Sequence, residues 1–335
     1  MIIFKRNGEF LLEVPGASLT GADLEGASLR NASLAGANMR GVCLRRADLR
    51  GANLEDADLT GANLLEADLR GAVLTGAYLT DACLTRANLC SADLYYANLE
   101  AANLVGARLA YTNLRAANLN GANLADAELA EADLMGVNLA DANLAGADIT
   151  GAELRNVVAS RTIFDRADLQ CTKLNNSDLR NASFTDANLR YADLTGSNLA
   201  GAVLTGASLG CVALTDADIR LTEIRGADIE AIRQALGIEH DPTLPARVLE
   251  QIEARPETLE QSQWHSYCGT RHCVAGWFVT LAGPTGKALE GLLGTATAAN
   301  LLAAIPGVEM PSFRADASSE EIIESLSKMV EAARL

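Results

Sequence analysis

Between residues 16 and 230 the chain alternates apolar and polar positions with a period of five. The frame opens GASLT, GADLE, GASLR, NASLA, GANMR and runs from Gly16 to Glu230 without an insertion or deletion. The second position is nearly always Ala and the fourth nearly always Leu, while the third is often Asp, Asn or Ser. An α-helix would scatter every fifth residue around its circumference, because each residue turns by about 100°. A flat strand would send successive fourth-position leucines to opposite faces, because five is odd. The chain must therefore change direction once per pentapeptide. Gly51, Asp56 and Gly61, at first positions, are residue types that turn.

The tandem A(D/N)LXX motif resembles the pentapeptide-repeat family, over residues 16–230. That resemblance implies an all-β right-handed quadrilateral β-helix with four pentapeptides per coil, and so about 11 coils over that span. It implies that the central Leu points inward, here Leu19, Leu24, Leu54, Leu124 and their equivalents, together with the Ala two residues earlier. The residues agree, because departures at inward positions stay apolar or small: Met39, Val42, Thr112, Val137, Ile149, Phe164, Phe184. At about 4.8 Å per layer the rod would be roughly 50 Å long, with only its ends needing caps. The motif weakens once, at NVVAS and RTIFD, residues 156–165. Ala159 takes a Leu position there, with Ile163 facing out and Phe164 facing in. A small residue compensating a large one in a nearby layer is one reading; a kink, or an apolar spot facing a partner at Ile163, is the other.

Composition follows from this architecture. Of 335 residues 49% are hydrophobic but only 4% aromatic, which suits a narrow interior of Ala and Leu. A net charge of −16 argues against direct contact with nucleic-acid phosphates and is compatible with a basic protein surface as partner. The start MIIFKRNGEFLLEV lacks the apolar run and cleavage site of a signal peptide, and no stretch has the length of a membrane span. A cytoplasmic protein with reduced thiols is the expectation. Cys43 and Cys83, like Cys171 and Cys211, would stand two coils apart, roughly 9–10 Å, beyond disulfide reach.

Three segments are expected: a cap over 1–15, the rod over 16–230 and a helical domain over 231–335. The composition changes after Glu230, where both Trp and all three His residues lie. Ile229–Leu236 reads as a short capping helix stopped by Gly237, and SSEEIIESLSKMVEAARL as an amphipathic final helix. His265, Cys268, His272 and Cys273 offer a zinc donor set, although adjacent His272 and Cys273 would strain a tetrahedral site. Cys273 could also serve as a thiol nucleophile. The structural reading, with Trp264 and Trp277 packing the domain around buried thiols, is preferred. No cofactor and no catalytic site are expected, because no acid–base pair stands apart from the repeating Asp column.

The expected role is that of a non-enzymatic interaction scaffold, a rigid acidic rod presented to a protein partner. Residues 126–155 carry a net −6, and Asp126, Glu128, Glu131, Asp133, Asp141 and Asp148 are the candidate partner-binding band. Residues 26–50 carry a net +4. Some members of the resembled family mimic duplex DNA and bind DNA gyrase or topoisomerase IV. The resemblance makes that the first alternative, and metal- or thiol-dependent activity in the helical domain the second. Family members of that kind pair through their C-terminal coils; here a helical tail follows those coils and is itself a candidate for homodimerisation.

Overall fold

The computed structural model describes residues 2–5, 7–13, 19–219 and 229–236, with isolated positions at 222, 224, 227, 244, 248 and 327. An antiparallel hairpin, β1 (Ile2–Phe4) and β2 (Phe10–Glu13), opens the chain. Ile3 joins the buried core, and Lys5 bridges to Ala32.

From Asp23 onward each third-position residue bridges, in parallel, to the third-position residue four pentapeptides later, through to Asn198 with Asp218. Four pentapeptides therefore close one coil, and each coil has four faces. Taken by their lowest described central residues, the faces follow one another around the rod as Leu19, Leu24, Leu29 and Leu34. Three backbone hydrogen bonds per face join neighbouring coils. On the Leu24 face these are Leu24 N to Cys43 O at 2.8 Å, Cys43 N to Ala22 O at 2.9 Å and, at the next corner, Gly26 N to Arg45 O at 2.8 Å. A fourth bond, such as Ala27 N to Leu24 O at 3.0 Å, closes each corner. The backbone thus leaves one N–H per pentapeptide outside the ladder, that of the fifth residue. Third-position Asp and Asn side chains accept it: Glu25 N to Asp23 Oδ1 at 3.1 Å, Arg50 N to Asp48 Oδ1 at 3.2 Å, Ala145 N to Asn143 Oδ1 at 3.0 Å. This is why Asp and Asn recur at a position facing solvent.

The corner residue at each first position is left-handed, from Gly21 at φ 63° to Asp216 at φ 57°. Gly, Asn and Asp enter that region most easily, yet Arg46, Ala101 and Cys171 adopt it as well. The inter-coil ladder imposes the turn where local preference would not.

The core is a column of Leu layers lined by Ala, with Leu54 and Leu124 fully buried and Leu19 and Leu24 at most 6% exposed. In the first coils Ala22, Ala27 and Ala37 are only partly buried. Six second positions carry a hydroxyl instead of Ala: Thr112, Thr162, Thr172, Ser177, Ser197 and Thr222. Each hydroxyl donates to a central-residue carbonyl of the preceding coil, as Thr162 Oγ1 does to Leu139 O at 2.7 Å. The weak repeats around 156–165 keep the ladder, with Asn143, Ile163 and Ser183 bridged in succession, so there is no break in the frame. Phe164 and Phe184 stack inside, ring centroids 5.0 Å apart and planes 6° from parallel. Ile163 and Val158 face outward, 39% and 45% exposed. The rod is followed by α1 (Ile229–Ala235), where the sequence predicts a short helix. Among the described residues no helix is long and apolar enough to cross a membrane.

Candidate interaction surface

Indexing by coil separates the six acids of the band. Asp126 occupies the corner before the Leu29 face, Glu128 its third position and Glu131 the corner after it. Asp148 stands one coil above Glu128, and Asp168 one coil above Asp148. Asp133 lies on the next face, Leu34, and Asp141 at the corner diagonally across the rod from that of Glu131. The band is therefore one acidic face with two outliers. Asp168 belongs to the column although it lies outside the sequence window; the repeat of the coil, not of the pentapeptide, is the signal that finds it.

Arginines on neighbouring coils compensate half of the band. Arg108 Nε meets Glu128 Oε2 at 3.0 Å, Arg115 Nη1 meets Asp133 Oδ2 at 3.4 Å, and Arg161 forks onto Asp141 with both bonds at 2.6 Å. Hydrogen bonding to Arg161 holds the Asp141 carboxyl below the usual carboxylate range. Asp126, Glu131 and Asp148 are exposed and take part in no ion pair among the described residues. Asp126 and Glu131 lie against Gly146 and Gly151 of the next coil, where a Cβ would meet their oxygens at 2.5 and 2.6 Å. A backbone without side chains thus seats these two carboxylates.

At the other end, Arg30, Arg50 and Arg70 stack on the Leu29 face around a hollow of about 360 Å³. Arg50 and Arg70 are forked onto Asp48 and Asp68, with bonds of 2.6–2.9 Å. Arg40, Arg45 and Arg46 pair with Asp58, Glu25 and Glu66 from outside the 26–50 window, at 3.2, 3.8 and 2.8 Å, so much of the positive charge predicted for it is locally neutralised. Asn ladders run on two faces: Asn138 to Asn118 to Asn98, each at 3.1 Å, and Asn143 to Asn123 at 3.2 Å. Cys43, Cys83, Cys90, Cys171 and Cys211 are free thiols. Among the described residues one group has metal-type donors in reach, Asp23, Glu25 and Cys43, with ligand atoms within 4.8 Å of one another; it is open to solvent. His265, Cys268, His272 and Cys273 lie outside the described residues.

Of the five exposed tyrosines of the rod, Tyr78, Tyr95, Tyr96 and Tyr111 fall at third, fifth and first positions, so the pentapeptide pattern alone does not group them; Tyr191 lies further along the chain. The coil geometry brings the first four to two neighbouring faces.

Comparisons with known proteins agree with this architecture. The family model described as Pentapeptide repeats matches in overlapping copies from 16–51 to 182–220. The crystal structure of HetL, a pentapeptide repeat protein involved in heterocyst differentiation regulation from the cyanobacterium Nostoc sp. strain PCC 7120, is 35% identical. It superposes with a TM-score of 0.57, covering 58% of this chain and 87% of HetL. Rfr23 from the cyanobacterium Cyanothece 51142 is 33% identical over 28% of this chain and 62% of its own, at a TM-score of 0.26. QnrB1, a plasmid-mediated fluoroquinolone resistance protein, is 17% identical over 61% of this chain and 93% of its own, at 0.35. These last two scores are too low to add to the case. No curated protein matches the chain. Frame, corner geometry, coil period and family match together make this chain a member of the pentapeptide-repeat family.

Proposed function

We propose that this protein is a non-enzymatic interaction scaffold whose rod offers an acidic face to a basic protein surface. The observation that carries the proposal is the trio Asp126, Glu131 and Asp148, exposed around one face and outside any ion pair among the described residues. Carboxylates without internal cations attract an external one and speed encounter with a basic partner. A rod whose backbone is satisfied coil by coil holds such charges at fixed spacing without rearranging on binding. HetL, the relative at 35% identity, is described as involved in regulation, a role in keeping with presentation rather than catalysis.

The test is affinity capture with the full-length protein beside the variant Asp126→Asn, Glu131→Gln, Asp148→Asn. A basic protein held by the first and released by the second supports the proposal. Equal retention refutes it.

A narrower reading, mimicry of duplex DNA toward gyrase or topoisomerase IV, draws on the acidity and rod form alone. Gyrase supercoiling and drug-induced cleavage assays test it, and no effect at excess protein would remove it. A separate reading assigns metal or thiol chemistry to His265, Cys268, His272 and Cys273; zinc analysis of purified protein decides that. Analytical ultracentrifugation of full-length and 1–230 chains tests homodimerisation through the tail.

A further inference from the structure

Four of the five tyrosines in the rod are clustered along the chain, from Tyr78 to Tyr111. Tyr78 stands on the Leu19 face, and Tyr95 at the end of the Leu34 face. Tyr96 occupies the corner between these faces, and Tyr111 the other corner of the Leu34 face. The side chains are 53%, 37%, 61% and 68% exposed, in that order. The rings of Tyr95 and Tyr96 meet edge to face at 4.3 Å. Tyr96 has Gly76 below it and Ala116 above it, so no bulky side chain flanks its ring within the corner column.

Folding does not account for these rings. Tyr96 and Tyr111 are left-handed, at φ 56° and 59°. A bulky residue enters that region at a cost that Gly, Asn or Asp avoids. Exposed rings regain little of that cost by burial. Arg46, Ala101 and Cys171 carry a similar corner conformation, so what sets these tyrosines apart is the exposure and clustering of their rings.

Most of the charge around the rings is negative. Asp56 lies beneath Tyr96 in the same corner column, its carboxylate resting on Gly76. Asp93 accepts the Tyr95 N–H at 3.1 Å, and Glu100 is exposed at the end of the pentapeptide that Tyr96 begins. None of the three is in an ion pair among the described residues. One cation, Arg115, stands one coil above Tyr95 in the same column and is engaged by Asp133 at 3.4 Å.

We infer that Tyr78, Tyr95, Tyr96 and Tyr111 form a docking surface for an arginine-bearing basic segment of a partner protein. The inference deepens the scaffold reading and rests on it, but centres the contact on the Leu34 and Leu19 faces, meeting the acidic surface at the corner column that Tyr111 shares with Glu131, one coil above. Tyrosine faces attract guanidinium groups within about 6 Å of the ring centroid. Tyrosine, with tryptophan and arginine, is also enriched among the few residues that carry most of the binding energy at protein interfaces. Surrounding carboxylates steer a basic segment in and repel nucleic acid or an anionic lipid surface.

The experiment uses the full-length protein and a fluorescent Arg–Gly peptide, with Lys–Gly and citrulline–Gly counterparts. The variant carries Tyr78→Asn, Tyr95→Thr, Tyr96→Asn and Tyr111→Asn. Each new residue already occurs in the same column, at Asn98, Thr75, Asn156 and Asn31, so the coil is kept. The expected result is tightest binding of the Arg peptide, weaker binding of the Lys peptide and none of the citrulline peptide. Binding of the Arg peptide should fall at least about tenfold in the variant. A second variant, with Phe at all four positions, should retain binding. Undiminished binding by the first variant, equal affinity for Arg and Lys peptides, or no binding by the native protein would overturn the inference. Loss of peptide binding only on neutralising Asp126 and Asp148, which lie away from the Tyr111 corner, would overturn it while leaving the scaffold proposal standing. Peptide binding that tracks the tyrosines, beside capture that ignores the acidic column, would be the converse.

Discussion

Ala159 and Phe164 are successive central residues, so they fill one layer of the rod, and both are fully buried. In most layers the same two positions are both Leu. If Ala159 makes the room that Phe164 uses, their substitutions must be coupled. Ala159→Leu alone overfills a closed layer and should cost about 1–3 kcal/mol. Phe164→Leu alone loses the stack on Phe184, at 5.0 Å and 6°, and leaves a void. It should cost about 1–2 kcal/mol. Together the two changes restore the Leu–Leu layer found elsewhere, so the double variant should be no worse than the milder single. The expected coupling is about 1–3 kcal/mol, favouring the double. Urea unfolding followed by circular dichroism gives the overall ranking. A solenoid can unfold in parts, so native-state hydrogen exchange of the amides in the flanking coils gives the local values. Additivity within about 0.5 kcal/mol would refute the compensation.

Thr162→Val keeps the shape, since Val42, Val137, Val157 and Val212 are buried at the same repeat position, but removes the hydrogen bond to Leu139 O. A loss of about 1 kcal/mol is expected, and unchanged unfolding would contradict it. Tyr96→Asn and Tyr111→Asn should each raise stability by about 0.5 kcal/mol through relief of the left-handed corner, read in thermal melts; a fall would show that the rings pack. The guanidinium forks of Arg50, Arg70 and Arg180 hold the carboxyls of Asp48, Asp68 and Asp178 below the ordinary range. A lowered folded value means that this stabilisation is complete above the unfolded value, about 3.9, and is lost as pH falls through the folded one. The melting temperature should therefore drop below about pH 4, and drop less when all three are replaced by Asn.

The rod was legible because its rule is local: five residues, two inward, repeated without interruption. The same locality hid the surface. Asp126, Glu128, Glu131, Asp133, Asp141 and Asp148 form a compact run in the sequence, yet Asp141 lies at a corner diagonal to that of Glu131, and Asp168, one coil beyond Asp148, completes the column. Position within the pentapeptide says only whether a side chain is inside or outside. Position within the coil says which neighbours it meets, and that second index came from the bridges. Corner chemistry shows a similar limit. Gly51, Asp56 and Gly61 announce a turn, whereas Tyr96 and Arg46 do not, yet all five share one backbone conformation. Once enough corners are favourable, the ladder holds the unfavourable ones at a modest cost each. Freedom to choose an unsuitable corner residue is what lets such a rod carry a binding side chain there. A tyrosine at a left-handed corner, exposed beside carboxylates that take part in no ion pair among the described residues, is thus a sharper mark of function than an acid in a column where acids serve the backbone.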